Sequence, residues 1–306
     1  MKINISYFLF FMAMNCSNGQ FAADTQGASS GSSSESETSF ESRLREELQG
    51  TVSSNQSQDI KTMIASYKFN NKKKASSFLL FLISNFSYEE QLELFNKYLS
   101  RVDIPSIDLS SQDLAEIPKI IFQVKRLKHL NLKNNNITTI PEDISLLTNL
   151  KTLDLSRNKI KEDMVINLPQ LYSLNVSYNE LTVFSLFLQK LKKLQALNIS
   201  YNRIEELPVE VTYLECLKTL IAVNNSIKIV HPNLFIMKSI QRIILRNNSI
   251  VELPAVIELS ELVELDLSGN LIKEIPEAFR ALPVLKTLNL KSGITSGENK
   301  IYKKAL

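Results

Sequence analysis

Cysteine is nearly absent from this chain: only Cys16 and Cys216 occur in 306 residues, so no disulfide framework is available. Glycine is scarce as well, with seven in all, and no glycine-rich loop exists to cradle a phosphate. There is no tryptophan, and His129 and His231 are the only histidines. Neither histidine has a metal ligand at suitable spacing, so no metal and no cofactor are expected, and both read as exposed structural residues. Asp108, Asp154 and Asp266 lie several turns apart, too far to act as an acid–base pair, and no nucleophile with a base and an orienting acid can be assembled. An enzyme is therefore not expected, and no catalytic domain is expected after residue 293. Long apolar runs are missing too. Tyr7–Met14 and Ser77–Ile83 are apolar but too short to cross a bilayer, so no integral membrane segment is expected in the mature chain. The net charge of +3 predicts neither nucleic-acid nor membrane binding, and the short basic runs at 72–74 and 303–304 read as solvated surface.

What remains is a chain that is 44% apolar and 22% charged, enough for most of it to fold. Residues 1–19 read as a secretory signal: Lys2, an apolar stretch, then the small residues Ser17-Asn18-Gly19. Lipidation at Cys16 and a retained segment are the alternatives. Residues 20–57 read as a disordered serine-rich linker, because Ser29–Glu37 holds almost nothing to bury. Residues 58–101 read as an α-helical N-terminal cap. Ser87 and Glu90 have the spacing of a capping box, and Tyr88, Leu92, Phe95 and Leu99 form one helical stripe.

From residue 104 one pattern takes over: aliphatic, two of any kind, aliphatic, one, aliphatic, two, asparagine, one, aliphatic. Leu127, Leu130, Leu132, Asn135 and Ile137 show it in full, and Leu194, Leu197, Ile199, Asn202 and Ile204 repeat it. Copies start at 104, 127, 150, 171, 194, 217, 240, 262 and 285. The step is 23 residues except for one of 21 and one of 22. Gln112 stands in the asparagine place of the first copy, and the ninth loses the pattern at Gly293. A fixed period of this size marks a solenoid. Each aliphatic–any–aliphatic core makes a short strand with alternating faces, and the strands stack in parallel. The asparagine turns inward, where its amide can bond backbone groups otherwise buried and unpaired. Pro118, Pro141, Pro208, Pro254 and Pro276 share one phase, which predicts an extended or 3-10 return rather than a regular helix. The fold class is thus α/β, a repeat solenoid (104–293) with a parallel sheet, followed by a C-terminal tail (294–306). That tail gives thin cover to the last strand and predicts a frayed or dimerising end, although the chain is otherwise expected to be a monomer.

These residues resemble the leucine-rich-repeat family over about two thirds of the chain. The aliphatic–proline step and the 23-residue period look most like the Ras-group and bacterial type. The order of segments more faintly resembles secreted bacterial repeat effectors, whose shorter repeat this chain does not share. The resemblance implies a horseshoe, strands lining its concave face, and protein binding on that face. It does not imply a particular ligand.

Candidate binding residues follow from the outward strand positions. Asp or Asn usually holds the middle position, with Ser two residues later, and both read as scaffold. Repeats six and seven depart from this. Ile221 and Ile244 take the middle place, Val223 and Arg246 the next, and Arg242 precedes Ile244. Tyr178 and Tyr201 sit on the neighbouring repeats. Strands about 4.8 Å apart would join these side chains into one patch with the composition of an interface hot spot. Cover by the tail or the linker would remove it. Cys216 reads as a small packing residue. The expected function is an exported protein-binding module, a bacterial effector or surface protein engaging a host protein; the alternative is an intracellular scaffold of signalling proteins.

Overall fold

The computed structural model describes residues 79–80, 82–84, 86–100, 102–161, 165–184, 188–274, 276–279, 281–290 and 301–303. The signal and linker readings (1–57) and most of the cap reading lie outside these residues. The chain divides into two units, 1–102 and 103–306.

In the first unit residues 79–80 and 82–84 are helical, and α1 spans Tyr88–Leu94. The expected capping box is present. Glu90 N donates to Ser87 Oγ at 3.4 Å, and Ser87 N donates back to Glu90 Oε2 at 3.0 Å. The expected stripe is only half right. Phe95 and Leu99 are buried, but Tyr88 and Leu92 are half-exposed, while Leu94 is buried. The cause is a π-turn over Phe95–Leu99, closed by Ser100 N donating to Phe95 O at 2.9 Å. One extra residue per turn puts Leu94 and Leu99, five apart, among the buried side chains.

The second unit is a solenoid. Strands β1 (Ser106–Asp108), β2 (His129–Asn131), β3 (Thr152–Asp154), β4 (Ser173–Asn175) and β5 (Ala196–Asn198) stack in order. With β6 (Glu206–Leu207) and β8 (Ile229–Val230) forming a separate parallel pair on the flank, the main sheet continues through β7 (Thr219–Ile221), β9 (Arg242–Ile244), β10 (Glu264–Asp266) and β11 (Thr287–Asn289). All nine repeat strands are parallel and in register, one per repeat. Their central residues, such as Leu153, Leu197 and Ile243, face inward and are at most 1% exposed. Each contributes roughly 1.5–3 kcal/mol of apolar burial. Phe184, Phe235 and Phe279 fill the space behind the sheet, the last two edge to face at 5.6 Å.

The asparagines form a ladder. Asn158 Nδ2 donates to Leu132 O of the preceding repeat and Leu155 O of its own, at 2.9 and 3.0 Å. Its Oδ1 accepts from Ile137 N at 3.0 Å. Asn135, Asn179, Asn202 and Asn248 repeat this arrangement. Gln112 is too long for it. Its amide turns back onto Ser110 O and Ser111 O, and its own N–H is taken by Asn135. The residue before each asparagine is left-handed, with φ between 52° and 58° from Asn134 to Asn247 and 68° at Gly269.

The return segments are 3-10 turns, as expected from the prolines. Lys119–Gln123, Glu142–Leu146, Val209–Tyr213 and Pro232–Ile236 are the full-length examples. Pro118, Pro141 and Pro208 enter their turns in extended conformation, which their fixed φ favours. The two repeats shortened to 21 and 22 residues carry no such turn among their described residues. The tail corrects one expectation. Instead of being left as a bare edge, β11 is paired antiparallel with β12 (Ile301–Lys303), Leu288 opposite Tyr302. The last strand's open N–H and C=O groups are thereby paired.

Candidate protein-binding face

The open face of the sheet is built from two kinds of outward residue. At most middle positions the side chain folds back on its own strand. Asp154 Oδ1 accepts from Ser156 N at 2.8 Å, Asn175 Oδ1 from Ser177 N at 3.1 Å, and Asp266 Oδ1 from Ser268 N at 2.9 Å. These are local caps on backbone groups, so the scaffold reading of the Asp and Asn residues holds. The serines are scaffold as well, but their outward placement needs correction: Ser156, Ser177, Ser200 and Ser268 are buried, at most 6% exposed.

Ile221 and Ile244 cannot make that cap. They are direct partners across β7 and β9, both half-buried. Val223 N turns instead to Ser200 Oγ at 3.0 Å. An aliphatic side chain here therefore forgoes a bond the scaffold uses elsewhere. Val223 is half-buried beside them, and Arg246 is exposed with no ion pair among the described residues. Arg242 is placed differently: its Nε donates to Glu264 Oε2 at 2.7 Å on β10, an exposed pair of small energetic weight.

Tyr178 and Tyr201 stack in register at 4.0 Å with rings 8° from parallel, and they are 38% and 40% exposed. They sit at the C-terminal end of the strands, in the left-handed column, with φ of 56° and 54°. Bulky side chains are uncommon there, and their strain costs about 1–3 kcal/mol each. Bonding to the Tyr201 hydroxyl lifts the Tyr178 phenol above its ordinary value, while the charge of Arg157 pulls the other way. Tyr201 N donates to Val223 O at 2.7 Å, so the tyrosine column and the isoleucine pair meet at Val223.

Sequence reasoning missed Arg157. Its guanidinium lies 4.2 Å from the Tyr178 ring centroid and extends the stack to a third repeat. Reading the residue before each asparagine as a column of its own would have found it.

Two other expectations change. Cys216 is exposed, not packed, because it lies in the turn before β7 and only the following Leu217 points inward. The histidines are half-buried rather than exposed. His129 Nδ1 bonds Thr152 Oγ1 at 2.9 Å, and His231 Nδ1 accepts from Asn233 N at 3.2 Å, capping a 3-10 turn. Among the described residues no group of three His, Cys, Asp or Glu is close enough to hold a metal. No helix of the described residues is long and apolar enough to cross a membrane.

Comparison with known proteins agrees with the repeat solenoid. The family model described as leucine rich repeat matches residues 104–160 and 238–292. Those two stretches belong to the leucine-rich-repeat family. A leucine-rich-repeat protein of Leptospira interrogans is 28% identical, with a TM-score of 0.58 over 63% of this chain and 50% of that one. The leucine-rich-repeat ectodomain of the Arabidopsis thaliana membrane receptor kinase GASSHO1/SCHENGEN3, solved with Casparian strip integrity factor 2, is 28% identical. Its TM-score is 0.55 over 63% of this chain and 25% of that one. The plant peptide hormone receptor RGFR1, solved with RGF2, is 26% identical, also with a TM-score of 0.55, over 63% of this chain and 33% of that one. This chain thus spans half or less of each of these solved chains. No curated protein matches it.

Proposed function

We propose that this repeat protein binds another protein, and that the partner seats on the open face over repeats six and seven, beside the tyrosine column. The observation that carries this reading is the exchange of a backbone-capping Asp or Asn for Ile221 and Ile244 on adjacent strands. The fold gives no use for that exchange, whereas an interface gains desolvated aliphatic area flanked by Tyr and Arg. Two plant receptors of the same fold, solved in complex with Casparian strip integrity factor 2 and with RGF2, lend the fold-level support.

Export belongs to the same proposal. It rests on the apolar stretch Tyr7–Met14 followed by small residues, and makes the chain an effector or surface protein that meets a host protein. N-terminal sequencing of the mature protein tests it. A start near residue 20 supports export, and an intact Met1 favours an intracellular scaffold.

The binding claim is tested by affinity capture from candidate host-cell lysate, comparing the unmutated chain with Ile221→Asp, Ile244→Asp, Arg246→Glu. A protein held only by the unmutated chain supports the reading. Equal capture by both folded proteins moves the site off repeats six and seven.

A further inference from the structure

The edge of the main sheet at the N-terminal ends of its strands carries a charge pattern that the binding face does not use. The residues entering the strands form a row linked by backbone hydrogen bonds. Lys151 N donates to Lys128 O at 2.7 Å, Tyr172 N to Lys151 O at 2.9 Å, Gln195 N to Tyr172 O at 2.8 Å, and Lys218 N to Gln195 O at 2.9 Å. Four strand steps of about 4.8 Å make this row ~19 Å long. At one end Lys125 and Arg126 join Lys128 and Lys151, all exposed. Towards the other end Lys190, Lys192 and Lys193 join Lys218, also exposed. None of these eight cations makes an ion pair among the described residues. The ion pairs there lie at other places in the solenoid, as between Lys228 and Glu205 or Arg203 and Glu180.

Unpaired like charges held side by side raise the local potential well above what a net charge of +3 implies. Between the two basic clusters the row is neutral but polar. Tyr172, 39% exposed, presents a ring and a hydroxyl. Gln195 and Gln170 present amides, the latter accepting from Lys193 Nζ at 2.7 Å. Cations at both ends with amide, hydroxyl and one flat ring between them match a chain that alternates sulfate groups with sugar hydroxyls and C–H faces. A bilayer would instead want an apolar centre, and a single-stranded nucleic acid a series of stacking rings.

We propose that this edge binds a linear sulfated polysaccharide. Lys128 and Lys151 hold sulfates at one end of the row, Lys193 and Lys218 at the other, and Tyr172 lies against a sugar ring. The site is independent of the protein-binding face and does not need that reading to hold.

The test uses heparin as probe and the full chain, with binding measured by calorimetry or surface plasmon resonance at two salt concentrations. The edge variant is Lys128→Glu, Lys151→Glu, Lys193→Glu. Its charge-matched control is Lys159→Glu, Lys161→Glu, Lys273→Glu, on exposed residues that follow the asparagines instead. Circular dichroism and thermal midpoints verify that both fold. At least tenfold weaker heparin binding by the edge variant, a control within threefold of the unmutated chain, and no binding to fully desulfated heparin support the proposal. Equal loss in both variants overturns it, since net charge alone would then explain binding. Equal or tighter binding to phosphatidylserine vesicles or duplex DNA at the same salt also overturns it, by reassigning the edge to another polyanion.

Discussion

Replacing Asn158 with alanine should remove about 2–5 kcal/mol of stability, at ~1–3 for one orphaned donor and about 0.5–1 for each weakened acceptor. The figure follows from counting which backbone groups lose their only partner. Ile137 N has Asn158 Oδ1 at 3.0 Å and becomes a buried, unpaired donor. Leu132 O keeps the Asn135 amide at 2.9 Å, and Leu155 O keeps the Asn179 amide at 3.0 Å. Those two carbonyls are weakened but not orphaned. Asn225 makes the informative comparison. Its amide has one described acceptor, Ile199 O at 3.0 Å, its Oδ1 accepts from Ile204 N at 3.1 Å, and it is only half-buried. Asn225→Ala should cost about half as much, because water can reach the groups it leaves. Asn158→Asp should be worse than Asn158→Ala, since it keeps the acceptor but loses the donor and buries a charge. Urea unfolding of the four proteins at one pH ranks them, with the denaturant slope checked for two-state behaviour. Asn158→Ala within 0.5 kcal/mol of the unmutated chain, or less costly than Asn225→Ala, would refute the ladder as a source of stability; that margin is ~0.5 kcal/mol of ordinary surface-mutation scatter.

Three further outcomes are expected. Gly269→Ala should destabilise by about 1–3 kcal/mol in the same urea assay, because φ is 68° and a Cβ would meet the Asn247 side-chain oxygen and backbone. Tyr178→Asn with Tyr201→Asn should change stability by no more than about 1 kcal/mol, since relief of left-handed strain offsets the lost stacking, yet should weaken partner binding; a large drop in thermal midpoint with binding intact would make the column structural. The Lys228 ammonium beside Glu205 holds that carboxyl below the usual range, so the pair's small contribution is present above the unfolded glutamate value and fades as pH falls through the lower folded value. An NMR titration of Glu205 should show the depressed midpoint, and Lys228→Ala should return it to the ordinary range.

Much of the fold is legible in the sequence because its rules are local and repeated. The inward Leu and Ile of each copy set register, since a one-residue slip would turn every one of them outward. Pro118, Pro141, Pro208 and Pro276 mark where their 3-10 returns begin, whereas Pro254 is followed by none and the turn at Leu188–Lys190 has no proline before it. Two features were not legible. The π-turn at Phe95–Leu99 inserts one residue into a turn, which the 3.6-residue periodicity of the sequence does not mark. The β12 pairing joins a segment without the repeat pattern to the last strand. At the candidate site the isoleucine pair and the tyrosines could be read from departures in the pattern. Arg157 was missed because its own repeat keeps the common pattern, with Asp154 and Ser156, and so showed no departure to read. The serines were placed outward because strict alternation was carried past the strands, which end two residues earlier, where the serines are buried.

The central claim is that a protein partner covers Ile221 and Ile244. Site-specific photo-crosslinking tests it most directly: one photoreactive residue at Ile244, and in a second protein one at Val256, 64% exposed on a return segment. Both are incubated with the partner held by the unmutated chain. Crosslinks from Ile244 and none from Val256 are the predicted result. Crosslinks from Val256 alone, or equally from both, would contradict the claim and place the partner elsewhere on the solenoid.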